Sequence, residues 1–173
     1  MSLATRCQRV ELFLSDVDGV LTDGGVIFDN QGLEIKRFHI RDGLGIKLWQ
    51  QAGYRFGIIT GRASQIVRVR ATELGIDLLR QGVEDKWAMA RQMIQELQIR
   101  PEQVAYMGDD LPDLPVMRQV GLAIAPADAA REVRNAAHLI TELRGGQGAV
   151  REALEAVLQA QGRWEYLVQK YQP

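Results

Sequence analysis

"LFLSDVDGVLTDG" (Leu12–Gly24) begins as a short apolar run and then sets two carboxylates, Asp16 and Asp18, one residue apart at its end. A brief apolar segment closed by turn-forming residues predicts a buried strand over 11–16. Two aspartates at the mouth of such a strand repel each other and resist desolvation. Such a pair is costly unless something cationic sits beside it.

Working outward, "YRFGIIT" (54–60) and "QVAYMGD" (103–109) read as two further buried strands. "DLLRQ" (77–81), "GLAIAP" (121–126) and "AHLIT" (137–141) are weaker strand candidates. Between them the apolar spacing predicts helices over 42–53, 64–75, 86–99, 113–120, 127–136 and 147–162. Asp42 and Ser64 are expected as N-caps of the first two, with Gly53 and Gly75 as stops. Strands that alternate with helices imply parallel pairing with crossover helices on both faces. The expected fold is α/β, a doubly wound, three-layer, Rossmann-like parallel sheet, with ligands bound beyond the carboxyl ends of its strands. "GGVIFDNQGLEIKRFHI" (24–40) breaks the alternation and reads as a β-hairpin around the turn signal "DNQG". It is too small to be a domain, so residues 1–173 are expected to form one domain with a hairpin insertion after the first strand.

The composition narrows the function classes. Lysine plus arginine (21) nearly cancels aspartate plus glutamate (22), which gives no electrostatic case for nucleic acid or an anionic membrane as partner. The single cysteine, Cys7, excludes an internal disulfide framework and a thiolate metal cluster. No apolar stretch approaches the ~20 residues of a spanning helix, and "MSLATRCQRVE" lacks the apolar core of a signal peptide. A cytoplasmic protein is the expectation.

The strand ends carry the chemistry. The first strand ends at Asp16, the second at Thr60 before Gly61 and Arg62, the third at Gly108 before Asp109 and Asp110. All three ends fall on one edge of the sheet, where Lys86 also enters from the loop before its helix. Clustered carboxylate oxygens suit Mg²⁺, a hard cation bound through one or two carboxylates plus a phosphate. Lysine and metal together would stabilise a phosphoryl group in transfer. One aspartate can then act as nucleophile and its neighbour two residues on as general acid and base.

"DVDGVLTDG", "IITGR", Lys86 and "GDDLPDL" resemble, in order, the four motifs of the haloacid dehalogenase superfamily of phosphotransferases. The resemblance implies that Asp16 is the nucleophile and Asp18 the acid/base. It implies that Thr60 and Lys86 bind phosphoryl oxygens. Mg²⁺ would be held by Asp16, Asp109 and the backbone carbonyl of Asp18, while Asp110 and Asp113 support the site or orient Lys86. "FHIRDGLGIKLWQQAG", "IITGR" and "GGQGAVREALEAVL" are similar to a small branch without a cap domain that acts on phosphorylated sugar acids. This similarity runs over about residues 10–162. Within that branch four subunits pack their hairpins together and a neighbour closes each site, so a homotetramer is expected. A lone hairpin is marginal in water, and copies of itself would stabilise it.

Arg62, Gly61 and Arg41 are expected on the substrate side. An arginine fork suits the carboxylate of a sugar acid. His39 is expected to pack on the hairpin and His138 in the sheet. The leading expectation is an Mg²⁺-dependent phosphomonoesterase for an eight-carbon sugar acid, placed in lipopolysaccharide precursor synthesis. A nine-carbon sugar acid is the alternative substrate, since Asp16 and the metal meet only the phosphate. A phospho-aspartate receiver module uses the same residue types, but it places its acidic pair first and has no acid/base two residues after its nucleophile. The tail "RWEYLVQKYQP" (163–173) matches no pattern.

Overall fold

The computed structural model describes residues 1–172. Helix α1 (Leu3–Gln8) leads into β1 (Leu12–Ser15), and a hairpin of β2 (Ile27–Phe28) and β3 (Glu34–Ile35) follows. The chain continues through α2 (Ile40–Gln51), β4 (Arg55–Ile59), α3 (Gln65–Leu74), β5 (Leu78–Arg80) and α4 (Lys86–Glu96). Then come β6 (Val104–Met107), α5 (Leu114–Met117), β7 (Leu122–Ala125), α6 (Arg131–Ala136), β8 (Leu139–Ile140), α7 (Ala149–Ala160) and α8 (Trp164–Val168).

Six strands pair in the order β5-β4-β1-β6-β7-β8, every pair parallel. From β1 the chain winds outward to β4 and β5, then returns across β1 to β6 and winds the other way. The reversal falls between β1 and β6, and the crevice for a ligand opens there. Alternation along each strand feeds two cores. Phe13, Ala105 and Met107 face one layer with α2, α3 and α7, where Trp49, Ile46 and Leu154 are buried. Leu12, Leu14, Val104 and Tyr106 face the other with α4, α5 and α6, around Met93, Met117 and Val133. The hairpin stands apart as a two-stranded antiparallel sheet, and no cap domain is present among the described residues.

Several boundaries differ from the sequence reading. Helix α2 begins at Ile40 with His39 as N-cap, not Asp42. Asp42 is buried in the first turn and accepts the Arg151 N–H of α7 at 2.8 Å. Helix α7 begins after Gly148, which has no side chain to cap it, so Asp42 serves as a cap from another element. Ser64 occupies the N-cap of α3 but makes no capping bond, because its hydroxyl donates to Glu34 Oε2 at 3.0 Å. Helix α6 starts four residues later than expected, since the Ala130 N–H is taken by the Asp109 carbonyl at 2.7 Å. The helix expected over 113–120 is shorter: a 3-10 turn (Leu111–Asp113) runs into α5, which ends at Met117. His138 is structural, its Nδ1 accepting the Ala123 N–H at 2.9 Å. Helices α1 and α8 were not expected, and the last residue of the tail lies outside the described residues.

Candidate active site

The carboxyl end of β1 is fixed before its side chains are considered. The Asp16 N–H donates to the Met107 carbonyl at 3.0 Å, which locks Asp16 to β6. The Val17 carbonyl then accepts the N–H groups of Leu21 and Thr22 at 2.9 and 3.0 Å, so the chain folds back on itself around Asp18. Gly19 makes this turn possible: its φ is +84°, and a Cβ there would lie 2.0 Å from Asp109 Oδ2. From above, the 145–148 loop presses on the same turn. The Gly146 N–H donates to the Val20 carbonyl at 2.9 Å, and a Cβ on Gly145 would meet the Gly19 oxygen at 1.9 Å.

Asp16 is 7% exposed. Its Oδ1 accepts the Val17 N–H at 2.7 Å, and its Oδ2 lies 2.8 Å from Lys86 Nζ. Burial, then the Asp113 charge, push its carboxyl up to about 6 against the opposing pull of Lys86. Asp109, at the end of β6, is pushed up to about 7 by burial, Asp113 and Asp16. Lys86 is the first residue of α4, a position where the helix dipole disfavours a cation. Burial also opposes its charge, yet Asp16 and Asp113 outweigh both and hold its pKa above the ordinary lysine range.

Oxygens of Asp16, Asp109 and Asp113 lie within 4.8 Å of one another. Their roles divide by what already occupies each oxygen. Asp113 is fully buried: Oδ1 accepts from Lys86 Nζ (2.7 Å) and Tyr106 OH (2.6 Å), and Oδ2 from the N–H groups of Asp109 (3.0 Å) and Asp110 (3.2 Å). A carboxylate has about four acceptor sites, and all are taken. Asp113 therefore orients Lys86 and the Asp109 backbone, while Asp16 and Asp109 keep lone pairs free. Asp110 is exposed and caps Leu111 at 2.8 Å.

The charges do not balance within the chain. Asp16, Asp18, Asp109 and Asp113 face the ammoniums of Lys86 and Lys36, leaving two negative charges. The raised carboxyls of Asp16 and Asp109 express that deficit. A divalent cation with oxygen ligands would close it, so the donor set fits Mg²⁺.

The remaining expected residues are placed as follows. Thr60 is buried one residue beyond β4, its N–H on the Arg80 carbonyl (3.0 Å) and its own carbonyl accepting from Val83 (3.1 Å). By the β1–β4 register it stands on the same sheet edge as Asp16. Gly61 is exposed beside it. Arg62 is 43% exposed and pairs with Glu34 Oε1 at 2.7 Å. Arg41 is not gathered into the cluster: it lines a groove between α2 and α7 with Leu44, Leu143 and Glu152. It is the second residue of α2, two after the cap His39, and takes no part in the strand-end set, because α2 starts earlier than the sequence suggested.

Three residues escaped the sequence reading. Tyr106 carries a hydroxyl inside a buried strand, which must find a partner; it finds Asp113. Glu34 and Lys36 lie two apart on the hairpin, a spacing that puts both on one face. Lys36 bonds to Asp18 and lies 3.3 Å from Glu34.

The haloacid dehalogenase-like hydrolase family matches over residues 63–154, which include Lys86, Asp109 and Asp113. A 3-deoxy-D-manno-octulosonate 8-phosphate phosphatase of Yersinia pestis is 46% identical over 92% of this chain and 86% of its own length. The crystal structure of the phosphatase of that name from Moraxella catarrhalis, in complex with magnesium ion, phosphate ion and a KDO molecule, superimposes with a TM-score of 0.96. It is 39% identical, over 98% of this chain and 97% of that one. A cobalt-bound deoxy-D-mannose-octulosonate 8-phosphate phosphatase from Haemophilus influenzae gives 0.89 at 40% identity, over 92% and 94% of the two chains. With the four motif segments gathered at one sheet edge and these likenesses spanning nearly the whole chain, the protein belongs to the haloacid dehalogenase-like hydrolases.

Proposed function

We propose that this protein is a magnesium-dependent phosphomonoesterase that hydrolyses 3-deoxy-D-manno-octulosonate 8-phosphate to the free sugar acid and phosphate. It works as one domain without a cap, in the cytoplasm, in lipopolysaccharide precursor synthesis. The observation that carries the reading is the pair at the end of β1: Asp16 locked between Lys86 and the Val17 N–H, and Asp18 two residues on. The likeness to the Moraxella enzyme, crystallised with magnesium, phosphate and KDO, supports the substrate.

Asp16, Asp109 and the backbone carbonyl of Asp18 would hold Mg²⁺, which when bound neutralises charge on the phosphoryl oxygens. An Asp16 carboxylate oxygen bonds to phosphorus as the bond from phosphorus to the sugar oxygen breaks. Asp18 gives its proton to that leaving oxygen. It then takes a proton from a water whose oxygen bonds to phosphorus, and the bond to Asp16 breaks, restoring the carboxylate. Lys86 and Thr60 hold the non-bridging oxygens. Arg62 and Gly61 border the sugar-acid side.

A homotetramer built on the hairpins completes the proposal. Val26, Phe28, Leu33 and Ile35 expose apolar surface there, with Phe28 at 57%. Contiguous exposed apolar side chains of this kind mark association surfaces. Arg41, outside the strand-end set within one chain, would then meet substrate only from a neighbour.

The reaction class is tested by Asp16→Asn. It should lower turnover by about a thousandfold or more while the protein stays folded. Acid-quenched wild type caught during turnover should carry one phosphoryl group on the peptide containing Asp16. Retained turnover in the variant would remove Asp16 as nucleophile.

A further inference from the structure

Asp18 is held differently from the other strand-end carboxylates. Asp16 has Lys86 and a backbone N–H, and Asp113 has four donors. Among the described residues, the Asp18 carboxylate has one bonded partner, the ammonium of Lys36, 18 residues away on the hairpin. The Lys36 side chain is 1% exposed, against 23% for Asp18. Burying a lysine forfeits hydration and side-chain entropy, so its partners must be well placed. The second partner is Glu34, which in turn accepts from Ser64 Oγ (3.0 Å) and pairs with Arg62 (2.7 Å). A ladder of charges thus runs from the turn after β1, through the hairpin, to the loop before α3.

We propose that Lys36 is a positioning residue for Asp18. Its ammonium, donating to one Asp18 oxygen, fixes the carboxyl group in one orientation so that the other oxygen gives and then takes the proton, and Glu34, braced by Arg62 and Ser64, fixes the ammonium. The hairpin then supplies a working part of the site as well as a packing face. This inference rests on the reading of Asp18 as acid and base, and its test separates the two.

Turnover of 3-deoxy-D-manno-octulosonate 8-phosphate with Mg²⁺ is measured for wild type, Lys36→Met, Lys36→Arg, Asp18→Asn and the double variant Lys36→Met/Asp18→Asn. Misplacing a reacting group by about 1 Å costs on the order of a hundredfold. Lys36→Met should therefore lower kcat by about a hundredfold with KM within about twofold, and Lys36→Arg should recover most of it. The double variant should be no slower than Asp18→Asn alone, because two residues acting through one carboxylate do not add. If Lys36→Met does not fold, Lys36→Gln keeps an uncharged N–H donor group and should lose about tenfold under the same cycle. Wild-type kcat in Lys36→Met, or an equal further loss on the Asp18→Asn background, would overturn the proposal and leave the role of Asp18 standing. Wild-type turnover in Asp18→Asn would overturn the acid–base reading and the proposal with it.

Discussion

Replacing Asp109 by asparagine should stabilise the metal-free protein while disabling the proposed metal site. Burial, Asp113 and Asp16 together lift the Asp109 carboxyl from 3.8 to about 7. The folded, metal-free chain therefore binds this proton more tightly than the unfolded chain. The stability that comes with the bound proton is complete below the unfolded value, near pH 4, and is lost as pH rises through about 7. The difference between 3.8 and about 7 corresponds to ~4 kcal/mol. Asp109 is half-buried, and screening at its solvent edge reduces this to ~2 kcal/mol. Asparagine has no proton to lose. At pH 8 in excess chelator the variant should melt about 6 °C above wild type, taking ~3 °C per kcal/mol for a chain of this size. At pH 4 the two melting points should converge. Added Mg²⁺ should reverse the order at pH 8, because only wild type keeps both carboxylates of the proposed metal site. A variant melting at or below wild type at pH 8 in chelator would refute the charge deficit inferred for the site.

Further outcomes follow from the same geometry. Asp113→Asn turns one acceptor atom into a donor facing Lys86 and Tyr106 or the two backbone N–H groups, and should cost about 3 kcal/mol in chemical denaturation. Gly19→Ala puts a methyl 2.0 Å from Asp109 Oδ2 at a φ of +84°, and should weaken Mg²⁺ binding by calorimetry at least tenfold, about 1.4 kcal/mol. Phe28→Glu places charge on the exposed hairpin face and, on the proposed hairpin tetramer, should yield a smaller species by sedimentation, whereas an unchanged species would contradict that interface.

The fold was legible where one strand decides its own ending. Apolar runs stop at Asp16, Thr60 and Gly108, and parallel pairing gathers those ends without further information. Reading failed where a residue serves a distant element. Asp42 looks like a local N-cap, but the capless Gly148 start of α7 claims it, and His39 takes its place. Helices α1 and α8 bury little beyond Cys7 and Leu167, too few apolar positions to show a period. Within the site, the strand-end aspartates and Lys86 stood out by position. Lys36 did not, because its pairing with Asp18 depends on how the hairpin curls back over the turn after β1. Tyr106 was hidden in an otherwise apolar strand, where only its hydroxyl signalled a buried partner.

The most direct measurement is phosphate release with Mg²⁺ from a panel: 3-deoxy-D-manno-octulosonate 8-phosphate, nine-carbon sugar-acid 9-phosphates and simple hexose phosphates. A preference of about a hundredfold in kcat/KM for the eight-carbon acid, worth ~2.7 kcal/mol of transition-state binding, is the predicted result. A flat profile would contradict the substrate assignment, and no release from any of them would contradict the phosphatase itself.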